Sequence, residues 1–410
     1  MKRKNRITPR SVPQPGVPPK RNSLHLALIA AFLAILVTPS LGLYLFGFTY
    51  DPTDAPEAGA QILPLTGESF RDGSYLRNLK LYFAQRFFLR RQMIRLVSRL
   101  GLRFGISTTP DVILGSDGWL FLGDDAERRC LSRRFPYSDA ELTEWREYLE
   151  DIQVKLAARG IKFLFLVAPD KHSVYSERVP GYLKGSSERV ARMDQLLDHL
   201  QSHSTVSVAD LRAALKQAKP ASQLYSKRDT HWNSYGAYAG YSVVSAWIGR
   251  QFGTARAVSL SDLAVHSKTR TSDLGRMLGV SDYLSEDGPD LQPKTPTGCD
   301  LTDLETKNTQ VDGARFTSRC PATRPPRRIL MFCDSFASAM APFLAREAAE
   351  ATFMMRTHPD LEAIEREKPD LVIYELVERH LMRSPDWLKR RQSVPQIVGV
   401  NRQNVRNKMH

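Results

Sequence analysis

The chain has 410 residues, of which 42% are hydrophobic and 25% are charged. This balance is that of a globular protein and excludes disorder of the chain as a whole. The formal net charge of +14 would suit a nucleic acid partner, but residues 1–21 hold seven Lys and Arg and no acidic residue. Because half of the excess charge is confined there and no DNA- or RNA-binding motif is present, we expect no nucleic acid partner.

An apolar segment, LHLALIAAFLAILVTPSLGLYLFGF, occupies residues 24–48. About 20 apolar residues span a bilayer as a helix, and the basic stretch before this segment directs the N-terminus to the cytoplasm. We therefore predict a basic, disordered cytoplasmic tail at 1–23, a single transmembrane helix at 24–48 and a linker at 49–72. The bulk of the protein would then lie outside the cytoplasm. A cleaved signal peptide is the alternative, although the apolar run is long for one.

Beyond the linker the chain alternates between predicted helices and strands. Apolar residues at helical spacing predict one or two amphipathic helices over 74–104, close to the membrane. A Ser-Asp-Gly turn between two apolar runs predicts a hairpin at 111–123. The remaining patterns predict helices at 138–158, 185–203, 211–218, 234–253 and 337–350, and strands at 162–169, 206–210, 328–333, 351–355 and 370–376.

This alternation predicts an α/β fold, a mostly parallel sheet covered by helices on both faces. We assign it to one domain over 73–393. Residues 255–326 are the least regular part of that domain and are interpreted as an insertion. A basic tail at 394–410 follows the domain.

The four cysteines do not have the spacing of a zinc site. Cys299 and Cys320 bracket a polar, turn-rich stretch, and an oxidising compartment would let them form a disulfide. The sequence alone leaves that pairing open. We expect no metal and no cofactor.

A serine stands where a predicted parallel strand ends, in the segment RILMFCDSFASAM. Ligands bind at the carboxyl ends of strands in open parallel sheets, and backbone N–H groups at the start of the following helix can stabilise an oxyanion. Ser335 is therefore a candidate nucleophile. The alternative is that Asp334 or Ser335 only caps the helix.

A second segment, RDTHWN, supplies what a serine nucleophile needs. A serine hydroxyl requires a base within hydrogen-bond reach, and a carboxylate fixes the tautomer and orientation of that base when it is a histidine. Asp229 and His231 lie two residues apart on a predicted loop, where the carboxylate can fold back to the imidazole. The alternative is an Asx-turn beside a surface histidine.

Together these two segments look like the second and first blocks of an SGNH hydrolase, in swapped chain order. That order resembles the alginate O-acetyltransferase proteins of the bacterial AlgX and AlgJ type. Five segments resemble that family in the right sequence: LYFAQRFFLRRQMIRLVSRLG, GSDGWLFLGDD, LVAPDKHSVYSERVP, RDTHWNSYGAYAGY and PDLVIYELVERHL.

The resemblance implies a serine O-acyltransferase acting in the periplasm on hydroxyls of an exported polysaccharide. Ser335 would accept the acyl group, His231 would be the general base and Asp229 would orient it. Trp232 and Asn233 would hold the loop. The family's acyl group is usually delivered across the inner membrane by a partner of the membrane-bound O-acyltransferase type.

The remaining assignments concern residues around the triad. Cys333 stands where SGNH enzymes usually have a glycine, so only the backbone N–H of Ser335 is named as an oxyanion donor, with Asp334 as a supporting residue. Lys171, Tyr225 and Tyr235 are candidate substrate contacts, for which a buried salt bridge or core packing is the alternative. Two other functions stay open: a carbohydrate acetylesterase with the same triad, and a non-catalytic polysaccharide-binding scaffold.

Overall fold

The computed structural model describes residues 25–34, 37, 66–86, 90–185, 189–253, 257–306, 313–321 and 328–386. Most of the predicted transmembrane segment and both predicted basic tails lie outside these residues. Residues 25–34 are helical. No helix within the described ranges is long and apolar enough to cross a membrane.

The chain divides into two compact units, Met1–Gln92 with Val398–His410, and Met93–Ile397. The described part of the first unit contains helices Gly67–Arg71 and Ser74–Arg86. The first of these helices lies within the predicted linker. It begins there because Thr66 and Ser69 form a capping box, in which each side chain accepts the other's backbone N–H.

The described residues of the second unit form ten strands: β1 Val112–Leu114, β2 Leu120–Leu122, β3 Lys162–Ala168, β4 Val208–Asp210, β5 Leu263–Arg270, β6 Glu286–Pro293, β7 Arg315–Arg319, β8 Arg328–Cys333, β9 Glu350–Met355 and β10 Leu371–Val377. A helix at Arg90–Arg103 crosses the boundary between the two units. The described helices that follow it are Asp125–Ser132, Asp139–Ala157, Lys171–Val174, Arg192–His203, Arg212–Ala218, Ser234–Phe252, Asp273–Met277, Thr302–Thr306, Ala337–Leu344 and Leu361–Glu367.

Six strands form the main sheet in the order β4-β3-β10-β8-β9-β7. All neighbours are parallel except β7, which pairs antiparallel with β9. Strands β3, β10 and β8 are adjacent, so the segments that follow Ala168, Val377 and Cys333 leave the sheet at the same edge. The predicted α/β fold with a mostly parallel sheet is confirmed.

The sheet is buried on both faces because its central strands are apolar at nearly every position. One face packs against the helices at 234–252 and 337–344 and contains Leu164, Leu166, Met331 and Ile373. The other face packs against the helices at 139–157 and 192–203 and contains Phe165, Val167, Phe332 and Tyr374. Side-chain alternation along each strand thus produces two separate hydrophobic cores.

The predicted hairpin at 111–123 is present as the antiparallel pair β1 and β2. Its turn needs left-handed backbone at Asp117 and Gly118, with φ of 52° and 75°. The capping box predicted for the next helix is also present, between Ser138 and Glu141.

The prediction that 255–326 is irregular is wrong in part. Strands β5 and β6 pair antiparallel over eight residues each, and β7 is the edge strand of the main sheet. Strand β5, LAVHSKTR, is mostly exposed and carries few apolar residues, so its sequence lacks the apolar alternation by which strands are predicted. The helix predicted at 337–350 is also shorter, because it ends at Leu344 and a 3-10 turn leads into β9.

Candidate active site

Ser335 lies two residues beyond β8, which is flanked by β10 and β9 in the sheet. The turn that carries it is fixed by Asp334, which is buried. The Asp334 carboxylate accepts one hydrogen bond from the Phe336 backbone N–H (3.0 Å) and another from that of Val377 (2.7 Å). Asp334 therefore ties the end of β8 to the end of β10 and sets the position of the serine.

The serine, histidine and aspartate form a continuous hydrogen-bonded line. The distance from Ser335 Oγ to His231 Nε2 is 2.8 Å, and the distance from His231 Nδ1 to Asp229 Oδ1 is 2.7 Å. With Nδ1–H donating to the carboxylate, Nε2 is the neutral acceptor that faces the hydroxyl. The three residues predicted from two segments 104 positions apart are brought together in the geometry that a serine nucleophile requires.

A second carboxylate, Asp273, which no sequence motif predicted, adjoins this line. Its backbone N–H donates to Asp229 Oδ2 (3.1 Å), and its Oδ1 accepts from the Thr230 backbone N–H (2.9 Å). Its Oδ2 lies 3.8 Å from His231 Nδ1. Asp273 follows β5 in the segment read as irregular, so no motif or spacing marked it.

The charges around the imidazole favour its protonated form. Burial opposes protonation of His231, but the hydrogen bond to Asp229 and the charges of Asp229 and Asp273 outweigh burial and raise its pKa. For Asp229, the histidine and the backbone N–H donors outweigh burial and lower the pKa. Burial and the neighbouring Asp229 raise the pKa of Asp273. The site thus has a histidine whose affinity for a proton is increased, as a general base needs.

Lys171, a candidate substrate contact, lies beneath the loop that carries Asp229. Its side chain is 3% exposed. Its Nζ donates to the backbone carbonyls of Ser226 (3.0 Å), Lys227 (3.1 Å) and Asp229 (2.6 Å). All three N–H donors of the ammonium are thus used by backbone carbonyls. Lys171 therefore positions the loop, and the expectation that it contacts substrate is corrected.

The predicted hairpin completes this support. The rings of Trp119 and Phe121 lie 5.6 Å and 5.3 Å from Lys171 Nζ, and the Leu120 backbone N–H donates to the Lys227 carbonyl (2.8 Å). The hairpin, the end of β3 and the Asp-x-His loop come from three separate segments of the sequence. They meet around Lys171 and together hold the histidine loop in place.

Trp232 and Asn233 form further hydrogen bonds that hold the histidine loop in place. The Trp232 indole N–H donates to the Phe336 carbonyl (2.9 Å), which joins the histidine loop to the serine turn. The Asn233 side chain accepts from the backbone N–H groups of Tyr235 (2.9 Å) and Gly236 (3.2 Å) and so caps the helix at 234–252. Both side chains are 2% exposed.

The two tyrosines expected to contact substrate are placed elsewhere. Tyr225 is fully buried, and its hydroxyl donates to the Pro169 carbonyl (2.6 Å). Tyr235 is half-buried and lines a separate cavity of about 270 Å³ with Gln223 and Glu286. Neither ring lines the cleft that contains Ser335, so core packing, the alternative, describes Tyr225.

Ser335 and His231 open onto a cleft of about 1310 Å³. The helix at 337–344 contributes to one side of this cleft, and β5, β6 and the segment up to 304 contribute to the other. Its lining includes five cationic residues and, besides Asp229, two acidic ones: Lys268, Arg270, Arg276, Lys294, Arg346, Asp290 and Asp300. A cleft of this size and positive charge can hold an extended, anionic ligand beside the serine.

Cysteines occupy two different environments. Cys299, which lines the cleft, forms a disulfide with Cys320. The pairing left open by the sequence is therefore present. Cys333 is 1% exposed, and burial raises the pKa of its thiol. It acts as a small packed side chain beneath the serine turn.

Two groups of donor atoms within the described residues are close enough for a metal ion, Glu127, Asp170 and His172, and Asp229, His231 and Asp273. In the first group His172 Nδ1 is already bonded to Glu127 (2.6 Å), and Asp170 pairs with the guanidinium of Arg379. In the second, His231 is bonded to Asp229. In both groups the residues are thus paired with one another or with Arg379.

Comparison with known proteins identifies related sequences and one related fold. Residues 112–309 match the family model described as SGNH hydrolase-like domain, acetyltransferase AlgX. The chain is 25% identical over 217 residues to the probable alginate O-acetylase AlgJ of Pseudomonas aeruginosa, covering 52% of this chain and 49% of that protein. It is 29% identical over 147 residues to the Pseudomonas putida protein of the same name, covering 35% of each. The chain thus spans about half or less of the length of these relatives.

A solved structure shows the same fold. The structure of Bacillus cereus PatB1 superposes with a TM-score of 0.50 at 17% sequence identity, covering 66% of this chain and 97% of that one. The segment matched by the family model contains Asp229, His231 and Asp273, and Ser335 follows it. The chain therefore resembles the AlgX/AlgJ-type family of SGNH hydrolase-like acetyltransferase domains, as its sequence motifs predict.

Proposed function

We propose that this protein is an O-acetyltransferase that esterifies hydroxyls of an exported polysaccharide through Ser335, His231 and Asp229. The observation that carries the proposal is the hydrogen-bonded line from Ser335 Oγ through both imidazole nitrogens to the Asp229 carboxylate. The proposed catalytic domain is the one predicted over residues 73–393.

The first step forms an acetyl-enzyme. His231 Nε2 takes the hydroxyl proton while Ser335 Oγ attacks the acetyl carbonyl of the donor, and the resulting imidazolium is stabilised by Asp229. The oxyanion is held by backbone donors at the start of the following helix, among them the N–H of Ser335. Collapse of the tetrahedral intermediate breaks the bond to the donor's leaving group, which takes the proton from His231.

The second step transfers the acetyl group to the acceptor. A sugar hydroxyl in the cleft gives its proton to His231 Nε2 and attacks the acetyl carbon, and the Ser335 ester bond breaks as the serine regains a proton. Transfer prevails over hydrolysis when a bound acceptor excludes water from the ester. The long, positively charged cleft supports such an acceptor, and the name of the curated relatives, alginate O-acetylase, supports a polysaccharide.

The proposed location is the periplasmic side of a bacterial inner membrane, with residues 24–48 as a single-pass anchor. The apolar, uncharged sequence of that segment supports the anchor. The Cys299–Cys320 disulfide supports an oxidising compartment. An acyl donor would be supplied by a membrane-bound O-acyltransferase-type partner.

The test incubates the purified full chain with a chromogenic acetyl ester and an anionic oligosaccharide, and follows ester cleavage and acetylated sugar together. We expect both signals, and expect Ser335→Ala to abolish both. Ser338→Ala is the matched control, because Ser338 lines the same cleft and lies three residues after Ser335 in the sequence. Free acetate without acetylated sugar would make the protein an esterase. Unchanged turnover in Ser335→Ala would remove the serine from the chemistry and leave a scaffold.

A further inference from the structure

The helix Arg90–Arg103 has two apolar faces, of which one is packed. On the packed face, the Ser98 hydroxyl donates to the Leu278 carbonyl (2.7 Å), and Leu102 packs on the cluster that contains Leu274 and Val280. A methyl group added to Gly279 would lie 2.5 Å from Ile94, which shows how closely this face approaches its neighbour. This face fixes the helix to the folded unit.

The second apolar face lies in solvent. It is a stripe of four residues at the spacing that places side chains on one side of a helix, and two further exposed apolar residues follow the helix end. The exposed fractions are Met93 48%, Leu96 59%, Val97 53%, Leu100 47%, Phe104 72% and Ile106 62%. An exposed contiguous apolar stripe of this kind marks an interaction surface.

The charge on this helix has one sign. Residues 90–106 contain five arginines and no acidic residue: Arg90, Arg91, Arg95, Arg99 and Arg103. Asp282 on the neighbouring turn lies 3.7 Å from Arg95 and 3.8 Å from Arg99. Asp282 thus pairs with two of these arginines, and the helix itself supplies no carboxylate.

An aromatic ring extends the surface at one side. Tyr283 is 58% exposed, and the guanidinium of Arg99 lies 5.1 Å from its ring centroid. Tyrosine and arginine both have an apolar body and a polar tip, so they suit the boundary between lipid tails and head groups.

We propose that this surface, Met93, Leu96, Val97, Leu100 and Phe104 with the arginines of the same helix, lies on an anionic lipid bilayer. The apolar stripe would enter the boundary between head groups and acyl chains, and the arginines would bind lipid phosphates. Charge complementarity selects this occupant, because phosphate head groups supply the anions that the helix lacks. The inference does not depend on the chemistry at Ser335.

The test places a probe in the stripe and asks what surrounds it. The full chain carrying Leu100→Cys is labelled with an environment-sensitive fluorophore and reconstituted in vesicles of phosphatidylcholine with phosphatidylglycerol. Val154→Cys is the matched control, since Val154 is an exposed apolar residue, 67% accessible, on another helix. The unsubstituted chain, labelled in parallel, corrects for labelling of Cys130 and Cys333.

At position 100 we expect emission to move to shorter wavelength and to be quenched by lipids brominated on the acyl chain, whereas position 154 shows neither change. Arg99→Gln with Arg103→Gln should reduce the shift. Emission typical of water at position 100, while the chain is bound to the vesicles, would overturn the proposal. A shift that brominated lipid does not quench would also overturn it, because the stripe would then be covered by protein.

Discussion

The support beneath the histidine loop rests on Lys171, and Lys171→Met tests it. The substitution keeps an unbranched side chain that is one atom shorter, and it removes all three hydrogen bonds to the carbonyls of Ser226, Lys227 and Asp229. A buried carbonyl left without its donor costs about 1–3 kcal/mol. Since the methionine also avoids burying a charge, we expect the free energy of unfolding to fall by about 3 kcal/mol.

The same substitution should reduce catalysis more than stability alone implies. The Asp229 carbonyl is held at 2.6 Å by the ammonium, and a displacement of about 1 Å in a catalytic group can cost about 100-fold in rate. We therefore expect kcat to fall about 100-fold with KM nearly unchanged. Chemical denaturation gives the stability, and steady-state cleavage of an acetyl ester gives the two kinetic constants.

Lys219→Met is the matched control for this prediction. Lys219 also donates to a backbone carbonyl, that of Val174 (2.7 Å), and also lies over an aromatic ring, that of Tyr175, but it does not touch the histidine loop. Its variant should retain kcat. If Lys171→Met raised KM and left kcat unchanged, Lys171 would bind substrate, as the sequence first suggested, and the positioning role would be refuted.

Because catalysis requires neutral His231 and two carboxylates raise its pKa, kcat/KM should rise with pH on the acid side, and Asp273→Asn should move that rise to lower pH; a pH–rate profile that stays fixed would exclude an electrostatic role for Asp273. The disulfide closes a loop with a sequence separation of 21 residues, so Cys320→Ala should lower the free energy of unfolding by about 3 kcal/mol. A denaturation midpoint that this substitution leaves unchanged would show that loop closure contributes nothing to stability. Arg346 lines the cleft, and its Nε and Nη1 are buried without a hydrogen-bond partner among the described residues. Arg346→Gln should therefore raise KM for an anionic oligosaccharide about tenfold and leave KM for a neutral ester unchanged. Equal effects on both KM values would contradict a contact between Arg346 and the acceptor.

Residues predicted correctly from the sequence were those with a strong local pattern. The apolar strands that end at Ala168, Cys333 and Val377 set the sheet, and parallel pairing then brings their exits to one edge. Ser335, which follows one of these strands, could be placed near a sheet edge for that reason. The Asp-x-His spacing placed the imidazole and its carboxylate, because a two-residue loop segment brings them within 2.7 Å.

Residues whose roles depend on tertiary contacts could not be predicted. Asp273 reaches Asp229 only because β5 and β6 fold a polar segment back over the loop. Lys171 and Tyr225 were expected to face substrate, but the direction of a side chain at a strand exit is set by the neighbours it packs against. Here those neighbours are the hairpin rings and the loop carbonyls.

The most direct test of the central claim is to find the acetyl group on the enzyme. The full chain is mixed with an activated acetyl ester, quenched in acid within the first turnover and digested for mass spectrometry. The account predicts one added acetyl group on the peptide that contains Ser335, accumulating in Asp229→Asn if deacylation is slowed, and absent in His231→Ala. Acetyl groups found on another residue, or product formed with Ser335 replaced by alanine, would contradict it.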